Sequence, residues 1–131
     1  MKTCIGCKEV LTEDKFRQVA KRKDGLALHY NKCFKEICIT QKAVLKDPVE
    51  YKRWYEILRK YGLTKQDYQD MFQKQQGKCF ICQESSNNLF IDHCHNTTLV
   101  RGLLCRDCNN AIGLLKDDPE ILKRALLYLG K

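Results

Sequence analysis

Two Cys-x-x-Cys pairs, Cys79-Phe80-Ile81-Cys82 and Cys105-Arg106-Asp107-Cys108, bracket a stretch that contains Asp92-His93-Cys94-His95. The outer thiols have the spacing of a structural zinc site, in which four soft sulfurs fill a tetrahedral sphere and leave no position for water. Chemistry then has to come from the inner residues. Asp92 offers a hard oxygen ligand, and Asn109, just past the last cysteine, offers an amide oxygen. Such donors suit magnesium, which keeps several of its waters for exchange with phosphate. His93 needs no extreme pKa shift to take a proton from an attacking water. His95 is placed to support phosphate or metal, and Arg101 to clamp a phosphate. The set points to metal-assisted phosphodiester hydrolysis.

Plainer readings of the same residues stay open. Asp92 and His93 could cap a hairpin turn by hydrogen bonds while Asn109 caps a helix. His93 and His95 could hold a further zinc with Cys94. Cys94 reads most simply as a small buried filler, because no oxyanion arrangement accompanies it as a nucleophile.

The elements that must position these residues follow from local pattern. Leu89-Phe90-Ile91 reads as a short strand entering the polar Asp92–Thr98 turn, and Leu99-Val100-Arg101 returns beside it. Neighbouring strand residues face opposite ways, so Asp92 and His93 need not meet the same metal. Gly102 permits the bend into the second cysteine pair, and a helix is expected from Arg106 to Leu115. Asp117-Asp118-Pro119 opens a last helix whose Ile121, Leu122, Ala125, Leu126 and Leu129 form an apolar stripe. That stripe would bury against the knuckle domain or against a second subunit. Upstream, Pro48 starts a helix carrying Tyr51, Trp54, Leu58 and Tyr61, and Gly62 ends it. Thr64 and Asp67 then form a capping box for another.

Residues 1–47 carry a second thiol group, Cys4, Cys7, Cys33 and Cys38, with His29 able to substitute as the fourth zinc ligand. Lys21-Arg22-Lys23-Asp24-Gly25 reads as a basic turn before a strand through Leu26–Leu28. The expected organisation is therefore an N-terminal zinc-binding module at 1–47, a helical connector at 48–75, and a catalytic domain at 76–131 with its structural zinc and C-terminal helix. The class is a small, zinc-stabilised α+β protein.

Bulk properties agree. A chain of 131 residues with nine cysteines has little apolar core to spare, and metals would supply the missing stability. The formal net charge of +8, from 24 Lys+Arg against 16 Asp+Glu, favours a polyanionic partner. Two four-thiolate zinc sites would reduce that to about +4, so the positive surface must be localised. Met1-Lys2-Thr3-Cys4 lacks the apolar core of a secretory signal, and no stretch approaches the roughly 18 apolar residues of a membrane span. A reducing, cytoplasmic setting without a membrane partner is the expectation.

Tyr61-Gly62-Leu63-Thr64, Asp92-His93-Cys94-His95, Arg101-Gly102-Leu103-Leu104-Cys105, Cys108-Asn109 and Ile112-Gly113 together resemble the recombination endonuclease VII family, within the His-Me finger (HNH-like) nucleases. The resemblance covers about residues 61–129. It implies a ββα-metal fold with one magnesium or manganese ion and a structural zinc beside it, cutting DNA to 5′-phosphate and 3′-hydroxyl ends. It implies His93 as general base, Asp92 and Asn109 as catalytic metal ligands, and His95 in phosphate or metal support. It further implies a homodimer. The N-terminal segment resembles modules that precede some phage-encoded nucleases, although Tyr30 stands where a cysteine is expected there. The leading expectation is a DNA endonuclease acting on branched or sequence-specific duplex DNA. The alternative is a non-catalytic zinc-containing DNA-binding protein. RNA stays open as a substrate, though no feature for recognising a 2′-hydroxyl stands out.

Overall fold

The computed structural model describes residues 1–130. In chain order it contains β1 (Lys2–Thr3), β2 (Val10–Leu11), β3 (Phe16–Gln18), β4 (Leu26–Tyr30), α1 (Asn31–Val44), α2 (Pro48–Tyr61), α3 (Lys65–Lys74), β5 (Phe90–His93), β6 (Val100–Leu104), α4 (Arg106–Leu114) and α5 (Pro119–Tyr128). A short 3-10 turn at Glu13–Lys15 precedes β3. The strands form three two-stranded sheets, β1–β2, β3–β4 and β5–β6. Lys2 pairs with Leu11 across the first, and Phe16 with Tyr30 across the second, both antiparallel. No described helix is long and apolar enough to cross a membrane.

The chain divides into two compact units. One comprises Met1–Asp70 with His93–Val100, and the other Met71–Asp92 with Arg101–Lys131. In the first, Cys4, Phe16 and Cys33 are buried with Leu11, Leu26, Tyr30 and Ile37 packed on them. Trp54 and Leu58 of α2 are buried as well, and Trp54 meets Tyr68 edge-on at 5.6 Å. In the second, Cys79, Leu89, Leu103 and Leu104 make the interior. Each core is a handful of side chains. Such cores rarely stabilise a fold alone, and in both units cysteines sit at the centre.

The helix ends form for local reasons. Pro48 occupies the first turn of α2, where its missing N–H costs nothing, and Asp47 accepts from Val49 N–H. The helix stops at Gly62, with φ +74°. A side chain there would be strained, and its Cβ would lie 2.2 Å from Ile5 Cδ1. Thr64 N–H donates to Asp67 Oδ2 at 2.8 Å, and Asp67 N–H to Thr64 Oγ1 at 3.1 Å, which is the reciprocal capping box.

The helix α1 was not anticipated. Residues 31–44 hold Cys33 and Cys38, and their ligand chemistry masked a sequence that turns helical directly after β4.

Candidate metal centres and the histidine-bearing hairpin

Both cysteine turns fold in the same way. Cys4 N–H donates to the Glu9 carbonyl, Lys8 N–H returns to the Cys4 carbonyl, and Lys8 adopts φ +66°. In the second unit Cys79 N–H donates to the Glu84 carbonyl, Gln83 N–H returns to Cys79, and Gln83 adopts φ +62°. The tight turn aims backbone N–H groups and two sulfurs at one point, a geometry that favours thiolate and then metal.

The sulfurs of Cys79, Cys82, Cys105 and Cys108 all lie within 4.8 Å of one another. Cys105 caps α4, accepting from Cys108 N–H at 3.4 Å. Without a cation the four thiols compete for charge. Burial opposes ionisation of Cys79, but N–H groups of Cys105, Cys82 and Ile81 outweigh it and bring its pKa down to about 6. Burial and the neighbouring sulfurs of Cys105 and Cys79 push Cys108 up to about 12. A dication removes that conflict, so the donor set fits zinc.

In the first unit Cys4, Cys7 and Cys33 form a group of three within the same span. Burial pushes Cys33 up to about 12, with Cys4 adding to it. Cys38, expected as the fourth ligand, is not in the group. Five residues along an α-helix rotate a side chain by about 140° and advance it about 7.5 Å, so Cys33 and Cys38 leave α1 on different faces. Burial raises the Cys38 thiol pKa, and the neighbouring Tyr51 hydroxyl opposes that shift. His29 is outside the group as well, but its ring lies against the same glycine as Cys33 Sγ. A Cβ at Gly6 would lie 2.7 Å from Cys33 Sγ, 2.8 Å from His29 Cδ2 and 3.2 Å from His29 Nε2, so imidazole and thiol crowd the same glycine. His29 is only 4 % exposed, and burial holds its pKa below the usual histidine range, with Asp67 opposing that shift. A neutral imidazole is the form that binds metal.

The β5–β6 hairpin carries the remaining residues, and neighbouring positions turn to different surroundings. Asp92, in the second unit, is 8 % exposed. Arg101 Nε donates to its Oδ2 at 2.7 Å and Nη2 to its Oδ1 at 2.9 Å. Both residues line a cleft of about 260 Å³ with Gly102, Leu104 and Ile112. Asn109 lies one turn before Ile112 on α4, so the two share a helix face. In the first unit, the His93 ring stands 5.2 Å from the Tyr61 ring and 4.9 Å from the His95 ring. Cys94 N–H donates to the Leu99 carbonyl, and Thr98 N–H to the Cys94 carbonyl, closing the turn.

Two contributors were not foreseen. Asp117 reaches Arg101 Nη2 at 3.5 Å. Gln75 accepts from Leu103 N–H and donates to the Leu103 and Lys78 carbonyls, each at 2.9 Å. Nothing in the sequence separates Gln75 from Gln73 or Gln76 beside it.

The family model for recombination endonuclease VII matches residues 54–131. The chain belongs to that family. In it β5, β6 and α4 are the ββα-metal core, flanked here by helices and by the N-terminal cysteine module. A gene 59 protein of Mycobacterium phage D29 is 44% identical over 79 residues, 57% of this chain and 48% of that protein. The gene 59 protein of Mycobacterium phage L5 is 43% identical over 77 residues, 56% and 47% of the two chains. The chain thus spans about half the length of the curated relatives it matches. Among solved structures, the ββα-Me type II restriction endonuclease Hpy99I aligns over 98% of this chain and 64% of its own, at 23% identity and a TM-score of 0.38.

Proposed function

We propose that the chain is a divalent-metal-dependent DNA endonuclease. The observation that carries this reading is the family match over residues 54–131, which includes the hairpin and helix bearing Asp92, His93 and Asn109. Asp92 and Asn109 would hold the ion through a carboxylate and an amide oxygen, a donor set suited to magnesium or manganese. When bound, the ion would offset charge on the phosphate and on the leaving oxygen. His93 takes the proton of the attacking water as the new P–O bond forms and the P–O3′ bond breaks, and the leaving O3′ takes a proton from solvent, giving 5′-phosphate and 3′-hydroxyl ends. His95 steadies the phosphate beside it. The substrate is branched or sequence-specific duplex DNA.

Two zinc ions are structural in this reading. One takes Cys79, Cys82, Cys105 and Cys108, and the other Cys4, Cys7 and Cys33 with His29. The exposed apolar face of α5, where Leu122 and Leu126 are 38% and 55% exposed, supports a homodimer.

One observation favours a second reading. Arg101 already occupies both oxygens of Asp92, which suits a DNA-binding protein that cuts nothing. Incubating the zinc-loaded protein with supercoiled plasmid and a four-way junction, in magnesium, manganese or chelator, separates the two. Metal-dependent cleavage lost in His93→Ala is expected. Binding without cleavage under every metal condition would establish the second reading.

A further inference from the structure

The β3–β4 hairpin ends in Lys21-Arg22-Lys23-Asp24-Gly25, closed by Val19 N–H donating to the Gly25 carbonyl at 2.8 Å. A charge run at a hairpin tip is ordinarily just solvated. Here Arg22 is engaged. Its Nη1 donates to Thr98 Oγ1 at 2.9 Å, and its Nη2 to the Lys60 carbonyl at 2.7 Å. The Lys60 carbonyl belongs to the last turn of α2, where acceptors lack helical partners and the helix end carries partial negative charge. Thr98 lies in the turn that follows His93 and His95. One guanidinium therefore ties the basic tip, the end of α2 and the histidine-bearing turn together within the first unit.

Between them lies a cleft of about 530 Å³. Arg17, Lys21, Arg22, Arg59 and Lys60 line it against a single acid, Glu56, and His93 and His95 open onto it. These cations are not equivalent. Arg59 lies 4.0 Å from Glu56, and donors of Arg22 are spent on Thr98 and Lys60. Arg17 and Lys21 are exposed. A concave surface lined by one sign of charge concentrates a polyanion at its mouth.

The geometry points to a phosphate-binding wall supplied by the N-terminal module. Arg17 and Lys21 hold backbone phosphates of the DNA strand whose scissile bond is presented to His93, and Arg22 is a positioning residue that fixes this wall to the histidine-bearing turn. The inference rests on the nuclease reading above. The three residues lie outside the span 54–131 that matches the family, so the wall is a contribution of this chain's own N-terminal part.

The test is the salt dependence of duplex binding, followed by fluorescence anisotropy in a His93→Ala background, with cleavage kinetics measured in parallel in the parent background. Each phosphate contact contributes about 0.9 to the slope of log K against log salt. Arg17→Gln and Lys21→Gln are each expected to lower the slope by about 0.9, and the double variant by about 1.8. The double variant should also raise KM about tenfold with kcat preserved, as for contacts made equally in ground and transition states. Lys35→Gln with Lys42→Gln makes the same charge change on exposed positions of α1 and should leave the slope alone. Equal slope losses in the two double variants would reduce the effect to net charge and overturn the wall. An unchanged slope in a chain that still cleaves would overturn it too. If the parent neither binds nor cleaves DNA, the nuclease reading itself fails and takes the wall with it. The single variants keep the test intact should the double variant lose its fold.

Discussion

Arg101 grips Asp92 with both arms of its guanidinium, Nε on one carboxylate oxygen at 2.7 Å and Nη2 on the other at 2.9 Å. This is the bidentate fork that planar guanidinium and carboxylate favour. From sequence, Arg101 was expected to clamp phosphate. The same Nη2 also lies 3.5 Å from Asp117, so the side chain holds two acids of its own unit. A cation arriving at Asp92 has to share that carboxylate or displace the fork.

Metal affinity at Asp92 should therefore rise when Arg101 is removed. Arg101→Ala leaves a nearly buried carboxylate unpaired, costing about 1–3 kcal/mol in chelator. Manganese should restore part of that loss and bind more tightly than to the parent. Asp92→Asn should do the reverse, with weaker manganese binding. Titration calorimetry beside denaturant melts reads both. A variant Arg101→Ala with unchanged stability and reduced DNA affinity would return Arg101 to the phosphate.

Zinc retention in the second unit should depend on pH with a definite sign. In the metal-free chain Cys108 keeps its proton up to about 12, and zinc binding must expel it near neutrality. Zinc affinity should fall as pH falls, with proton release visible in buffers of different ionisation enthalpy. The metal-free protein has its own dependence. Cys79 is depressed to about 6, so its contribution to stability is present above the ordinary thiol range and lost as pH falls through 6. Zinc binding without net proton release at pH 7 would contradict the sulfur assignment.

Much of this organisation was legible in short-range chemistry. Pro48 and Gly62 mark the two ends of α2, and Thr64 with Asp67 marks the start of α3, because caps involve residues only a few positions apart. The Cys-x-x-Cys spacing likewise named the four sulfurs that the second unit brings together. Cys33 and Cys38 were harder to read from pattern. Treating them as a ligand pair presupposed a loop, whereas α1 sends them to different faces. Arg101 is a different case. Its partner is nine residues away across a hairpin, and an arginine beside an acid and a phosphate site reads the same in sequence whichever it binds.

The N-terminal site gives a direct test of that lesson. Zinc content of the whole chain should stay at two equivalents in Cys38→Ser, and fall toward one in Cys4→Ser or His29→Ala. Gly6→Ala should act like the latter, since its methyl would need the space held by Cys33 Sγ and the His29 ring. Metal analysis after dialysis decides the matter. Loss of an equivalent in Cys38→Ser, with His29→Ala unaffected, would restore the four-cysteine set.

Gln75 carries the least expected structural role. Leu103 is fully buried, and its N–H has the Gln75 side-chain oxygen as acceptor at 2.9 Å. The Leu103 carbonyl has a second donor in Phe80 N–H at 3.2 Å, so it survives the loss of the amide better. Gln75→Ala should leave a buried N–H unpaired and cost about 1–3 kcal/mol. Gln73→Ala, at an exposed position of α3 just before the turn that holds Gln75, should fall within about 0.5 kcal/mol of the parent. Gln75→Glu keeps the acceptor but faces the Lys78 and Leu103 carbonyls with charge, so it should be no better than alanine at neutral pH. Because Phe80 belongs to the first cysteine turn, zinc should also leave both Gln75 variants faster under chelator. Equal stability and equal zinc release in Gln75→Ala and Gln73→Ala would show that water replaces the amide.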